Sequence, residues 1–218
     1  MSSFDAARAR MIESQLRPNK ITDRRVLNAF ATIRRELFVP EQLRHIAYID
    51  EDLPLGRGRY LMEPMVAARL LQAAAKPRDA ALVVGAGTGY EAALISVLAR
   101  SVVALENDPE LARYAREALV EHAIPSVSVV EGPLTQGHRA RGPYDMILFG
   151  GAIAEVPITV CSQLAEEGRL AAVVRPGDTI GRAVLMMRTG GLLAQRVIFD
   201  AAVPWLPCFM PRPAFVFC

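Results

Sequence analysis

The sequence predicts a doubly wound α/β fold with a mostly parallel sheet, and three observations carry that prediction. From Ala80 onward, short apolar runs alternate with helical patterns, the rhythm of parallel strands joined by crossover helices. The first run breaks into three glycines at alternate positions before its helix. The last third of the chain abandons the rhythm for two strand-like runs joined across Gly190-Gly191, which reads as an antiparallel hairpin.

The elements follow in order. Residues 5 to 35 read as helices, because Ala7, Met11 and Leu16, then Val26, Leu27, Phe30 and Ile33, recur at helical spacing. Pro18-Asn19 divides them, and Thr22-Asp23 reads as the cap of the second. Residues 36 to 64 read as irregular, with Pro40, Pro54, Pro64, Gly56 and Gly58; a loop of that length inside a compact fold commonly covers a site. A helix from Met65 to Ala75 closes at Lys76-Pro77. Strands are then expected at 80–84, 101–105, 127–131, 144–149 and 169–174, with helices at 90–99, 109–122 and 155–166. Right-handed crossovers place those helices on both faces of the sheet. With the hairpin strands Ala183 to Arg188 and Leu193 to Phe199, the sheet reaches seven strands. A Pro-rich cover from Val203, then a short strand at Ala214 to Phe217, ends the chain.

Composition narrows the class. The chain has 218 residues, 52% of them hydrophobic, enough for one α/β domain with a small N-terminal addition. No apolar run approaches the roughly 20 residues that cross a bilayer, and Met1 to Arg10 lacks the apolar core of a signal peptide, so a cytoplasmic protein without a membrane partner is expected. Cys161, Cys208 and Cys218 are scattered and odd in number, which indicates neither a disulfide framework nor a metal cluster. A net charge of +2 gives no reason to expect a nucleic-acid partner. The basic pairs Arg24-Arg25 and Arg34-Arg35 read as a solvated helical face, and His45, His122 and His138 as surface or packing residues. The residues do not specify an oligomeric state.

The glycine turn selects a cofactor. Gly85, Gly87 and Gly89 follow an apolar strand and open a helix, an arrangement that lets an adenosine-containing ligand approach the main chain. A dinucleotide fingerprint places its third glycine where Tyr90 stands, and Glu91 in the first helical turn would repel a pyrophosphate. The pattern therefore fits S-adenosylmethionine, which has no phosphate, better than a nicotinamide dinucleotide. Glu106, at the end of the next strand, is placed to accept both ribose hydroxyls.

With these residues in view, the chain resembles the protein-L-isoaspartate O-methyltransferase family. The resemblance runs from about residue 11 to about 175. It is carried by Met11 to Leu16, Ile21 to Leu27, Leu37-Phe38-Val39-Pro40, Ala47-Tyr48-Ile49-Asp50, Leu53 to Gly58, the glycine loop and Gly168-Arg169-Leu170. It implies a Rossmann-like methyltransferase sheet and one domain over 1–218, with residues 1–79 as helical cap and acceptor-side loop and 80–218 as α/β core and C-terminal hairpin. It also implies methyl transfer from S-adenosylmethionine to isoaspartyl carboxylates in damaged proteins or peptides. No His- or Ser-based constellation is needed for that reaction, because a carboxylate is already ionised at neutral pH and only alignment and exclusion of water remain.

Where the family reads Gln-Thr-Ile-Ser before a residue and Pro, this chain has Arg59, Tyr60, Leu61 and Met62 before Glu63 and Pro64. Arg59, Tyr60 and Met62 are therefore expected to form the acceptor pocket, with Arg59 able to pair with the acceptor carboxylate or to serve instead in a solvent-side or structural ion pair, and Met62 unable to donate a hydrogen bond. Val83 stands where the family has an acid ahead of the glycines, and Pro133 where it has an adenine-binding Asp. Gly132 and the main-chain N–H of Leu134 are expected to complete the adenine side, and Gly150-Gly151-Ala152 a pocket wall. A second reading stays open: a non-catalytic or acceptor-switched relative that keeps the fold as a cofactor-binding or regulatory module. Tyr90 and Glu91 disfavour a third, a nicotinamide-dependent oxidoreductase.

Overall fold

The computed structural model describes residues 3–177 and 179–211. The expected strand at Ala214 to Phe217, and Cys218, lie outside these residues. Seven strands form one sheet: β3 (Ala80–Val84), β4 (Ser101–Glu106), β5 (Val127–Glu131), β6 (Tyr144–Ile153), β7 (Leu164–Val174), β8 (Gly181–Thr189) and β9 (Leu192–Ala201). Their order is β5-β4-β3-β6-β7-β8-β9, parallel from β5 to β7 and antiparallel at β8 and β9. The chain winds outward from β3 through β4 to β5 and then returns to β6. β3 and β6 thus flank the topological switch point, where open α/β sheets bind ligands beyond the carboxyl ends of their strands.

β3 is buried along its whole length, as its unbroken apolar run requires. Its side chains alternate between two cores. Ala81 and Val83 pack with the N-terminal helices, while Leu82 and Val84 join Phe149, Leu206 and Phe209 on the opposite face. The first face is covered by α2 (Arg24–Thr32), α3 (Pro64–Ala74), α4 (Tyr90–Ser96) and α5 (Pro109–Glu121), with α1 (Ser3–Met11) and a π-helical turn (Ile12–Leu16) outside them. Asp23 caps α2 by accepting from the Arg25 N–H, which bears out one residue of the expected Thr22-Asp23 cap. Asp108 caps α5, accepting from the N–H groups of Glu110 and Leu111, with Pro109 at its first position.

Three expectations require correction. The helix expected over 155–166 is reduced to α6 (Ile158–Cys161), because Leu164 already pairs with Tyr144 and starts β7. The Gln163 side chain donates to the carbonyls of Gln136 and Thr159 and accepts from the His138 N–H, which fixes the turn that ends the helix. Residues 36–64 are not irregular throughout: they hold two 3₁₀ segments and a hairpin of β1 (Leu53–Gly56) and β2 (Arg59–Leu61). Arg35 is fully buried rather than solvated. Its Nε donates to the Ala47 carbonyl (2.7 Å) and its Nη2 to the Met62 carbonyl (2.9 Å), with the guanidinium 4.9 Å from the Tyr90 ring centroid. It ties the cap, the acceptor-side loop and α4 together.

A second buried arginine organises the other end of the sheet. Arg169 donates to the carbonyls of Ala74 and Asp145 and pairs with Asp79 at 2.5 Å, joining the end of α3 to the starts of β3 and β6. Among the described residues no helix is long and apolar enough to cross a membrane.

Candidate functional site

The site begins where β3 ends. Gly85, Gly87 and Gly89 have φ of +77°, +55° and +94°, the left-handed conformations that glycine alone adopts at little cost. The N–H groups of Gly85 and Ala86 both donate to the Leu105 carbonyl, so the loop is sewn to the end of β4. Gly150, on β6, could carry no side chain: a Cβ there would stand 2.2 Å from the Gly85 carbonyl oxygen. The close approach of β6 to the glycine loop thus depends on that residue.

Glu106 closes β4 with its side chain fully buried. Oε2 accepts from the Gly87 N–H (2.7 Å), and Oε1 from the N–H groups of Asn107 (2.9 Å) and Asp108 (3.1 Å). Oε1 also receives Arg59 Nη1 at 2.7 Å. A buried carboxylate held by three amides and a guanidinium is the paired, fully hydrogen-bonded state that burial of a charge demands. The Gly132 N–H reaches the Glu106 carbonyl (3.0 Å), and Leu134 lies buried at the head of a 3₁₀ turn beyond β5. The structure therefore gathers Gly85, Gly87, Gly89, Glu106 and Gly132 around one strand-end crevice, with Leu134 in the adjoining apolar core that also holds Leu105.

It does not gather Arg59, Tyr60 and Met62. Along β2 the side chains alternate, so Arg59 (4% exposed) turns in to Glu106 while Tyr60 (41% exposed) turns out. The Met62 side chain is buried in the core, and its carbonyl is taken by Arg35. The trio expected as one pocket is divided among three environments.

Two segments roof the crevice. The tip of the β1–β2 hairpin is held over the start of α5 by an ion pair between Arg57 and Asp108 (3.3 Å). The tail segment 203–209 lies along β6, with Ala152 and Trp205 bridged in parallel and the Leu206 N–H donating to the Ala152 carbonyl. Leu206 is pressed onto the glycine loop: a Cβ at Gly85 would meet Leu206 Cδ2 at 2.8 Å and Arg59 Nη2 at 3.0 Å. Arg59 Nη2 is buried and has no hydrogen-bond partner among the described residues. What remains open here is a cavity of about 90 Å³ bordered by Arg57, Arg59, Asn107, Asp108, Pro207 and Cys208. A wider cleft, about 740 Å³, lies between the N-terminal helix and α2 and includes none of these residues.

The donor set suits an adenosine ligand with an anionic arm: a glycine cradle, a strand-end carboxylate and a guanidinium nitrogen without a partner among the described residues. Its room does not, since small-molecule sites usually enclose about 300–1,000 Å³. Leu206 fills the space above Gly85, with Arg59 Nη2 at its edge, so a cofactor needs the Leu206 side chain to move aside.

Carboxyls around the acceptor side are also withdrawn from solvent, Asp52 and Glu63 partly and Glu91 fully. Burial pushes Asp52 up to about 6, Glu63 up to about 7 and Glu91 up to about 7. Glu91 thus enters the first turn of α4 as a buried group whose charge is suppressed, a property that its position in the sequence did not reveal.

The fold and the strand-end site define a Rossmann-like methyltransferase. A sequence model of the protein-L-isoaspartate(D-aspartate) O-methyltransferase family matches residues 7–202, and the chain belongs to that family of S-adenosylmethionine-dependent enzymes. It is 40% identical over 201 residues to the protein-L-isoaspartate O-methyltransferase of Koribacter versatilis, covering 92% of this chain and 90% of that one. With the enzyme of the same name from Methanoculleus marisnigri the identity is 39% over 184 residues, covering 84% of each chain. In structure it is similar to a putative protein-L-isoaspartate O-methyltransferase from Plasmodium falciparum in complex with S-adenosyl-L-homocysteine. The TM-score there is 0.79 at 20% identity, over 94% of this chain and 99% of that chain, a likeness of fold.

Proposed function

We propose that this chain transfers the methyl group of S-adenosylmethionine to the free carboxylate of isoaspartyl residues in protein or peptide substrates. We further propose that residues 1–218 act as one unit in the cytoplasm, without nucleic-acid or membrane partners. The observation that carries the cofactor side is Glu106, fully buried at the end of β4 and oriented by three backbone N–H groups beside three left-handed glycines. The bound cofactor would supply an activated methyl group on a sulfonium. Glu106 would hold its ribose, the Gly85–Gly89 loop would admit its body, and Gly132 and the Leu134 N–H would border its adenine. The protein contributes alignment and the exclusion of water, for which the hairpin and tail roof are suited. Tyr60, at the exposed face of β2, is the member of the expected acceptor trio that stands where a peptide can reach it.

Titration calorimetry with S-adenosylmethionine, followed by methyl transfer to an isoaspartyl peptide and to its aspartyl twin, tests the reading. Saturable binding and transfer to the isoaspartyl peptide alone are expected. The second reading, a cofactor-binding module without this transfer, rests on the burial of Met62 and on Tyr60 and Met62 standing where the family has small hydroxyl side chains. Binding with no transfer to either peptide selects it.

A further inference from the structure

Arg59 stands on the wrong side of the site for an acceptor residue. Its Nη1 is committed to Glu106 at 2.7 Å, while Nη2 is buried, has no partner among the described residues and lies over Gly85, 3.0 Å from where a Cβ would stand. An orphaned, charged N–H in an interior costs free energy that a ligand oxygen would relieve. Strand order states which oxygen. Leu134 follows β5, Glu106 ends β4, Gly85 follows β3, and Gly150 and Gly151 lie on β6 next in line. A nucleoside with adenine near Leu134 and ribose on Glu106 extends its remaining arm across β3 toward β6. Arg59 spans that step, with one nitrogen on the ribose-binding acid and the other over the first glycine.

We propose that Arg59 is a cofactor-binding residue whose Nη2 takes the α-carboxylate of the methionyl arm of S-adenosylmethionine once Leu206 swings off Gly85. This rests on the proposed cofactor reading and assigns a charged anchor to the end of the ligand where Val83, buried on β3, offers no polar group. Arginine is suited to it, since one planar fork can serve two carboxylates at once. The same residue would then orient Glu106 and fix the amino-acid arm, so the ribose and the sulfur would be positioned by one side chain.

The test compares two ligands that share nucleoside and thioether but differ in the amino-acid arm: S-adenosylhomocysteine and 5′-methylthioadenosine. Affinities are measured by calorimetry on the full chain, for the wild type, Arg59→Gln and Arg59→Lys, each first checked for a cooperative thermal transition. Arg59→Gln is expected to weaken S-adenosylhomocysteine at least tenfold while changing 5′-methylthioadenosine less than threefold, and Arg59→Lys to fall between. Equal weakening of both ligands overturns the proposal, since Arg59 would then serve only to orient Glu106. Tighter binding of either ligand overturns it by making Arg59 a mere obstruction. Unchanged S-adenosylhomocysteine affinity also overturns it, and loss of isoaspartyl-peptide binding alone would return Arg59 to the acceptor side. Failure of the wild type to bind either ligand at millimolar concentration overturns the cofactor reading along with it.

Discussion

The crevice above Gly85–Gly89 and the loop over residues 53–64 face each other across the site, yet they are built from different materials. The crevice is made of main chain: left-handed glycines, amides on Glu106, and β6 brought to the Gly85 carbonyl by the missing side chain of Gly150. The loop presents side chains on a hairpin, and those are Arg59, Tyr60 and Met62 instead of small hydroxyl residues. Backbone geometry tolerates few substitutions, because strain and clash follow at once. An exposed side chain on a short strand, such as Tyr60, can be exchanged at little cost to the fold. The contrast predicts that damage to the crevice is severe and damage to the loop graded.

Glu106→Ala should have the largest effect. It leaves Arg59 buried without its counter-charge, which we expect to cost about 3–5 kcal/mol in urea denaturation and to weaken S-adenosylmethionine binding at least tenfold; an unchanged affinity would mean the ribose lies elsewhere. On the loop, Met62→Ser tests whether a hydroxyl can simply be restored. Because Met62 is in the core, we expect a loss of about 2–4 kcal/mol from cavity formation and no gain in isoaspartyl methylation. A gain in that assay would show that the side chain reaches the acceptor.

Glu91 offers a test by pH. Its carboxyl, ordinarily near 4.5, is pushed up to about 7 by burial. The folded state therefore keeps a proton that the unfolded chain releases, and stability, complete below pH 4.5, declines as pH rises through 7. Glu91→Gln should reduce that decline and stabilise the protein at pH 8 by on the order of 1–3 kcal/mol. Asp52 and Glu63, raised in the same direction, leave part of the slope in place. Thermal melts of both proteins from pH 5 to pH 8 check this; parallel curves would refute it. The smallest change is expected from Tyr60→Ala, at an exposed position where stability should move by no more than about 0.5 kcal/mol. Its effect should appear instead as a several-fold rise in KM for peptide, and an unaltered KM would remove Tyr60 from the acceptor face.

The same division decided what the sequence could reveal. The strands, the glycine turn and Glu106 were legible because strand, turn and terminal acid follow one another locally, and unbroken apolar runs such as Ala80–Val84 mark strands buried on both faces. The β1–β2 hairpin was not, since strands of four and three residues punctuated by Pro54, Gly56 and Gly58 are too short to show a period. The shortened α6 was misread because the pairing of Leu164 with Tyr144 is a tertiary choice that local propensity does not record. Arg59 and Glu106 are 47 residues apart, and only the fold makes them partners. Arg35 looked like half of a solvated pair, and nothing local foretold carbonyl partners at Ala47 and Met62.

Trp205 sits in the tail segment next to Leu206, half-buried, with the Arg175 guanidinium 5.3 Å from its ring centroid, and it is the only tryptophan in the chain. Its emission therefore comes from one place, the strap that seals the crevice. Any ligand that lifts Leu206 disturbs the ring's surroundings, so ultraviolet fluorescence becomes a label-free count of sealed and unsealed molecules.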